Sequence, residues 1–278
     1  AVHICSAARP RSITAPMNQY ALITTLVGAI VLAFVFGFIA QRLKLSPIVG
    51  YLIAGIAIGR TPAISADLGL ALQLSEIGVI LLMFGVGLKI SVEDIWSVRW
   101  AAVPSSVVQT VLVALLGAGV GLGLSMPLAE ALTLGSALSI ASTIVLMRML
   151  EERRLMKTEE GRVAVSFVLL EDLFIVIAIV VLPALVGATA GAPMSVFAIA
   201  GAVGLTLGKI AVFAALMLAI GGRLFPWLIV QVAHTKSREL LSLGTLALAL
   251  GVAWAAYRWF DASFALGAFL GGLALNGS

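Results

Sequence analysis

Apolar residues fill this chain in nine solid runs, parted by short gaps that carry most of its charge. The runs cover 20–40, 47–59, 74–88, 100–123, 128–149, 163–187, 195–221, 239–257 and 263–275. None alternates apolar with polar residues, so transmembrane β-strands are excluded. A helix of about 20 apolar residues crosses the roughly 30 Å hydrocarbon core of a bilayer. The pattern predicts an all-α, polytopic helical membrane protein of about nine spans. The runs at 47–59, 74–88 and 263–275 are short for a full crossing, so tilted or broken segments are expected there.

Composition narrows the class further. The 278 residues are 62% hydrophobic and 11% charged, with a mean hydropathy of +1.16. A soluble domain carries about 25% charge, so a soluble enzyme, a disordered chain and a secreted disulfide scaffold are all excluded. Cys5 is the single cysteine and forms no intrachain disulfide. The net charge of +4 sits in the gaps and offers no face to nucleic acid. Its distribution is informative instead. The gaps after the first, third, fifth and seventh runs, counted with Arg148 at the end of the fifth run, hold twelve Lys and Arg, and the alternate gaps hold only Arg60 and Arg258. The positive-inside rule then puts the N-terminus outside. Residues 1–19 lack the long apolar core of a signal peptide and are expected to be a disordered extension.

Gly50-Tyr-Leu-Ile-Ala-Gly55-Ile-Ala57-Ile matches Gly267-Ala-Phe-Leu-Gly-Gly272-Leu-Ala274-Leu in its small and large positions, at an offset of 217. The two segments run in opposite directions through the membrane, which is the sign of an inverted repeat. The expected organisation is a first repeat over 20–187, a linker helix over 195–221 and the start of a second repeat over 239–278. Inverted copies of the third to sixth helices are expected beyond residue 278, so the chain reads as a fragment.

Three residues stand out inside the apolar runs: Glu171, Asp172 and Lys209. The two acids lie eight to nine residues from the predicted start at residue 163, roughly 12–14 Å deep. A charge near mid-bilayer costs several kcal/mol and marks an ion or proton path by default. The alternative is a carboxylate locked in a structural salt bridge. Lys209 lies at matching depth on the next run, so it is expected to pair with Glu171 or Asp172; the alternative is snorkelling. Ser139, Ser142 and Thr143 sit mid-run at 128–149, where hydroxyls either help open a helix or simply pack. The Gly117–Gly123 run lies in an apolar helix without a preceding strand, so close helix packing explains it better than dinucleotide binding. His3 and His234 are too far apart in sequence and context to form a metal site. Glu151, Glu152, Glu159 and Glu160 alternate with arginines and are expected to be a solvated face.

Residues 20–276 resemble the Kef-type potassium/proton antiporters, in the second large family of monovalent cation:proton antiporters. The carrying motifs are Leu45-Ser-Pro47-Ile-Val-Gly50-Tyr-Leu-Ile-Ala-Gly55, Glu76-Ile-Gly78 to Gly85-Val-Gly87, Ser142-Thr143-Ile-Val, Glu171-Asp172 and Phe264-Ala-Leu-Gly267 to Gly272. The resemblance implies the inverted-repeat Na+/H+ antiporter fold, partial here, in a multi-pass protein of the bacterial inner membrane. It implies a homodimer with a mobile core in which two broken helices cross. Ser142 and Thr143 would lie in the first of these. Asp172 matches the carboxylate that alternately binds cation and proton, and Glu171 the residue before it, often Gln in the nearest members. The implied partners are K+ or Na+, H+ and the bilayer, with no cofactor. A C-terminal nucleotide-binding regulatory domain would be missing from this chain. The expected function is secondary exchange of K+ or Na+ for protons, not enzymatic catalysis. A cation channel is the second reading, although no filter motif such as TVGYG occurs. A non-transporting fragment is the third.

Overall fold

The computed structural model describes residues 21–60, 67–189 and 195–276. The expected extension over 1–19 lies outside the described residues. Among them the secondary structure is entirely helical: α1 (Ala21–Arg42), α2 (Pro47–Arg60), α3 (Leu68–Gly87), α4 (Val92–Ser97), α5 (Arg99–Gly123), α6 (Leu128–Leu138), α7 (Thr143–Glu152), α8 (Glu159–Thr189), α9 (Val196–Leu216), α10 (Gly222–His234), α11 (Arg238–Phe260) and α12 (Phe264–Asn276). A π-helical turn, Met217–Gly221, joins α9 to α10. Six helical segments, with α6–α7 and α9–α10 each counted as one, are long and apolar enough to cross a membrane. Large apolar side chains such as Phe34, Leu115 and Phe197 point outward. This is the surface of a multi-pass membrane protein whose solvent is lipid.

The run at 128–149 is two helices, with a break over residues 139–142 beside Ser142 and Thr143, where the Kef-type resemblance implied one. Three other expectations change. The run at 74–88 is the end of a 20-residue helix, α3, long and apolar enough to cross a membrane. The run at 195–221 continues through the π turn to His234, with Pro226 accommodated near the start of α10, just after that turn. The gap before residue 100 contains α4, which its own cap specifies. Ser91 Oγ accepts the Asp94 N–H at 3.1 Å, and Asp94 Oδ2 accepts the Ser91 N–H at 3.0 Å. This reciprocal capping box satisfies two N–H groups that a helix start leaves free.

The chain divides after Ser75 into two compact units. In the first, α1 and α2 form a hairpin. Gly50 faces the backbone of Phe36 and Gly37, so any Cβ there would displace α1. Thr25, buried, accepts the Asp67 N–H at 3.1 Å.

The second unit packs around α12, whose residues Leu266 to Ala274 are all buried. A helix buried on every side must be apolar on every side, which explains a segment too short and uniform to read as amphipathic. Small residues let its neighbours come close. Gly267 meets Ala253 and Ala256 of α11, and Gly272 meets the carbonyl of Phe84 and the backbone of Gly87 in α3. Gly117 and Gly121 of α5 approach Gly135 and Ala131 of α6, so the glycine run does serve close packing. Two ion pairs brace the helix ends: Lys89–Glu151 at 2.7 Å and Arg162–Asp94 at 3.2 Å. Glu151 is therefore tied to α3 rather than freely solvated.

Gly272→Val should press a methyl-bearing Cβ into the Phe84 carbonyl and destabilise the unit by about 1–3 kcal/mol. Gly251→Ala, at a position with open space around it, should be neutral or slightly stabilising. Melting of both variants in detergent checks the pair. A second test concerns pH. The Ser91 backbone N–H, then the Ser91 hydroxyl and Arg162, hold the Asp94 carboxyl below its ordinary value. A lowered folded value means that its stabilisation is full above about pH 4 and is lost as pH falls through the lowered value. The melting temperature of the native chain should fall over that acidic window, and Asp94→Asn should flatten that part of the curve.

Candidate functional site

The site is built where a helix stops inside the unit. α6 ends at Leu138 and α7 begins at Thr143; the Ser139 N–H still reaches the Gly135 carbonyl and the Ser142 carbonyl still accepts the Leu146 N–H, but the Ser139 carbonyl and the Ala141 N–H lie outside either helix's ladder. Free backbone groups at membrane depth survive only where protein or a water-lined cavity satisfies them. Two polar side chains do so here. Glu171 Oε2 accepts the Ala141 N–H at 3.2 Å. Gln109 Nε2, on α5, donates to the Ser139 carbonyl at 3.4 Å, while its own Oε1 accepts from Thr110 at 3.3 Å.

α8 brings the acids to this break. It starts at Glu159, four residues before the predicted start. Asp172 therefore lies thirteen residues in, roughly 20 Å along the helix. Glu171 is 1% exposed, and Asp172 is half-buried. The Thr143 hydroxyl, at the first residue of α7, hydrogen-bonds the Asp172 carboxylate. The positive end of the α7 dipole also lies at that residue. Ser142 is the N-cap of α7 and makes no side-chain capping bond. Glu171 Oε1 and Asp172 Oδ2 are both buried, and neither has a donor among the described residues.

Lys209 goes elsewhere. Its Nζ meets Asp261 Oδ2 at 2.6 Å, not Glu171 or Asp172. The cause is azimuth. Lys209 and Phe213 lie four residues apart on one face of α9, and Phe213 packs on Phe260 with ring centroids 5.0 Å apart. That contact sets the face against the end of α11, where Asp261 lies. Among the described residues no protein cation pairs with either acid.

Two cavities reach this region. One, about 540 Å³, is lined by Asp172, Tyr257, Arg258, Asp261 and Ser263 among others. The other, about 650 Å³, is lined by Ala141, Glu159, Glu160 and Phe167 with neighbouring apolar residues. The first touches the Asp172 side of α8 and the second its N-terminal half. Sequence reasoning missed Gln109, Asp261 and Arg258. The Gln109-Thr110 pair in the middle of an apolar run, and the polar run Arg258 to Ser263 between two apolar helices, were the available signals.

The comparisons agree with this architecture. The family model described as "Sodium/hydrogen exchanger, transmembrane" matches residues 30–278. The "Putative cation/proton antiporter YbaL" of Escherichia coli K12 is 46% identical over 258 residues, 92% of this chain and 46% of that protein. An "Uncharacterized protein in phaC 3'region" of Methylorubrum extorquens is 46% identical over 263 residues, 91% of this chain and 95% of that protein. The "Glutathione-regulated potassium-efflux system protein KefC" of Shigella flexneri is 32% identical over 243 residues, 86% of this chain and 38% of that protein. The chain thus spans less than half the length of YbaL and of KefC. The Kef-type resemblance read from the motifs is borne out.

Glu171→Gln keeps an acceptor for the Ala141 N–H, so it should leave the melting temperature nearly unchanged. Glu171→Leu removes the acceptor. It should cost on the order of 1 kcal/mol, at the low end of an orphaned donor because Ala141 also faces a cavity. Hydrogen exchange at the Ala141 amide should rise in the Leu variant only.

Proposed function

This chain belongs to the sodium/hydrogen exchanger transmembrane family, and on that premise we propose that it exchanges a monovalent cation for protons through competition at Asp172. The observation that carries this reading is the pair of buried oxygens, Glu171 Oε1 and Asp172 Oδ2, with no donor among the described residues. A carboxylate at membrane depth needs a counter-charge or a proton. Lys209 is engaged by Asp261, so a mobile cation or a proton takes that place.

The mechanism follows from the surroundings. Asp172 releases its proton when a cation enters, and takes one up when the cation leaves. Thr143 Oγ and carbonyl oxygens of the opened backbone supply the uncharged ligands that hard cations prefer. Glu171 holds the break open through Ala141. Ser142 stands next to these groups as a further oxygen. The two cavities supply access from the two ends of α8, as alternating exposure requires.

K+ is favoured over Na+ because KefC and a chloroplast relative, 33% identical over 234 residues, are both named for potassium efflux. The Lys and Arg distribution supports an N-terminus outside and the α7–α8 gap in the cytoplasm. The bacterial inner membrane fits the bacterial relatives. A homodimer, the inverted repeat of α2 in α12 and a regulatory domain elsewhere in the reading frame complete the proposal. One glycine pair 217 residues apart makes comparable contacts, Gly50 on α1 and Gly267 on α11, each the helix before its own; the other differs, since Gly55 has open space while Gly272 meets α3.

Asp172→Asn in the intact reading frame should abolish K+- or Na+-driven proton flux into pH-loaded vesicles while inserting normally. Glu171→Gln should retain measurable flux. Native rates in the Asn variant would remove Asp172 from the mechanism. Rapid cation flux with no coupled proton movement in the native protein would favour the channel reading.

A further inference from the structure

Where α4 meets α5, an arginine is held between two tryptophans. The Arg99 guanidinium carbon lies 4.6 Å from the Trp96 ring centroid and 5.3 Å from that of Trp100. Its Nη1 donates to the Trp96 carbonyl at 2.7 Å. Among the described residues no carboxylate forms an ion pair with it. Trp96 is 65% and Trp100 80% exposed. Tryptophan beside a cation at the end of a membrane helix belongs to the headgroup layer, where an amphipathic ring meets both hydrocarbon and water.

Arg99 and Trp96 stand in the wall of a cavity of about 300 Å³, bounded by α4, α5, α8, α9 and α12. The remaining walls are apolar, with Leu169, Leu170 and Leu173 from α8 and Leu270 from α12. The exception is Ser166, 4% exposed, whose Oγ has no partner among the described residues. The cavity thus combines a fixed cation, an apolar, hydrocarbon-like lining and one unused hydroxyl.

We propose that this cavity binds an anionic phospholipid, its phosphate against Arg99, one acyl chain along Leu169, Leu170 and Leu173, and an ester oxygen at the Ser166 hydroxyl. A protein segment is a poor occupant. It would bring backbone N–H and C=O groups into walls that offer a single hydroxyl. A lipid brings anion and hydrocarbon at the required ends, and it is the solvent of this molecule. Basic pockets between membrane helices on the cytoplasmic side favour anionic headgroups. The three leucines flank Glu171 and Asp172 on α8, so a bound chain braces the turn that carries the acids. The binding itself stands apart from the exchange reading.

The test uses the purified, delipidated chain in detergent. Phosphatidylglycerol and phosphatidylcholine with identical acyl chains are compared by native mass spectrometry and by thermal midpoint. The native protein should bind phosphatidylglycerol about fivefold more tightly, equivalent to the ~1 kcal/mol of one cation facing an anionic lipid. Arg99→Gln should erase that preference while leaving phosphatidylcholine binding unchanged, and Arg99→Lys should keep part of it. Ala102→Phe, which fills the cavity, should weaken both lipids. Glycerol phosphate, a headgroup without chains, should not compete. Equal binding of the two lipids by the native protein overturns the proposal, whether or not any variant folds. So does a preference that survives Arg99→Gln, or competition by glycerol phosphate alone. A change of oligomeric state in Arg99→Gln with lipid binding intact would reassign the cavity to a protein contact and likewise overturn it.

Discussion

The hydrogen bond from the Ala141 N–H to Glu171 Oε2 is the contact on which this site depends. A helix that stops in hydrocarbon leaves donors and acceptors whose burial costs several kcal/mol each. With no acceptor at Ala141 and no donor at Ser139, the cheapest solution is a continuous helix from Leu128 to Glu152. Such a helix would carry Thr143 in mid-turn, with its N–H consumed and no free helix start beside Asp172. Glu171 and Gln109 together make the interrupted form affordable. Adjacent acids thus differ in their engagement: Glu171 organises backbone, while Asp172 Oδ2 has no partner among the described residues and, under the exchange reading, is left to meet a mobile charge. The 100° between neighbouring residues on a helix is what lets them point at different tasks.

How far the sequence foretells this differs from element to element. Spans such as α1, α5 and α11 are legible because a bilayer imposes length and apolarity together. Helix α12 is legible as a helix, but not as the hub of its unit, because burial on every side erases periodicity. The break at Ser139–Ser142 carries only hydroxyls as a local signal and is located by family likeness. The partner of Lys209 is misjudged for a geometric reason. Counting residues gives depth along a helix, whereas pairing depends on rotation about it, which Phe213 and Phe260 set by packing. Gln109 escapes notice because a lone amide in a long apolar run looks like any tolerated polar residue until its partner, the Ser139 carbonyl, is known to be free.

Small residues do the rest of the assembly. Without a hydrophobic drive between helices in lipid, close van der Waals contact has to hold them. Gly87 against Phe269 and Gly272 against Phe84 bring α3 and α12 to backbone contact from both sides of one seam. The seam is backbone against backbone. Two oppositely charged pairs, Lys89–Glu151 and Arg162–Asp94, sit at helix ends, where they cost least; Lys209–Asp261 draws its lysine from within α9.

The two cavities also shape how the site would feel voltage. Under the exchange reading, cavities open to the two aqueous phases shorten the insulating layer to the protein between Ala141 and Asp172. Nearly the whole membrane potential then falls across that short interval. A single charge crossing it gains or loses about 2.3 kcal/mol per 100 mV. Swapping one cation for one proton at Asp172 moves no net charge and leaves the cycle indifferent to the potential. If Glu171 also loaded and released a proton, each turnover would carry an extra charge through that field. Under that reading, a titrating Glu at residue 171, where Gln could not titrate, would let the membrane potential drive the exchange.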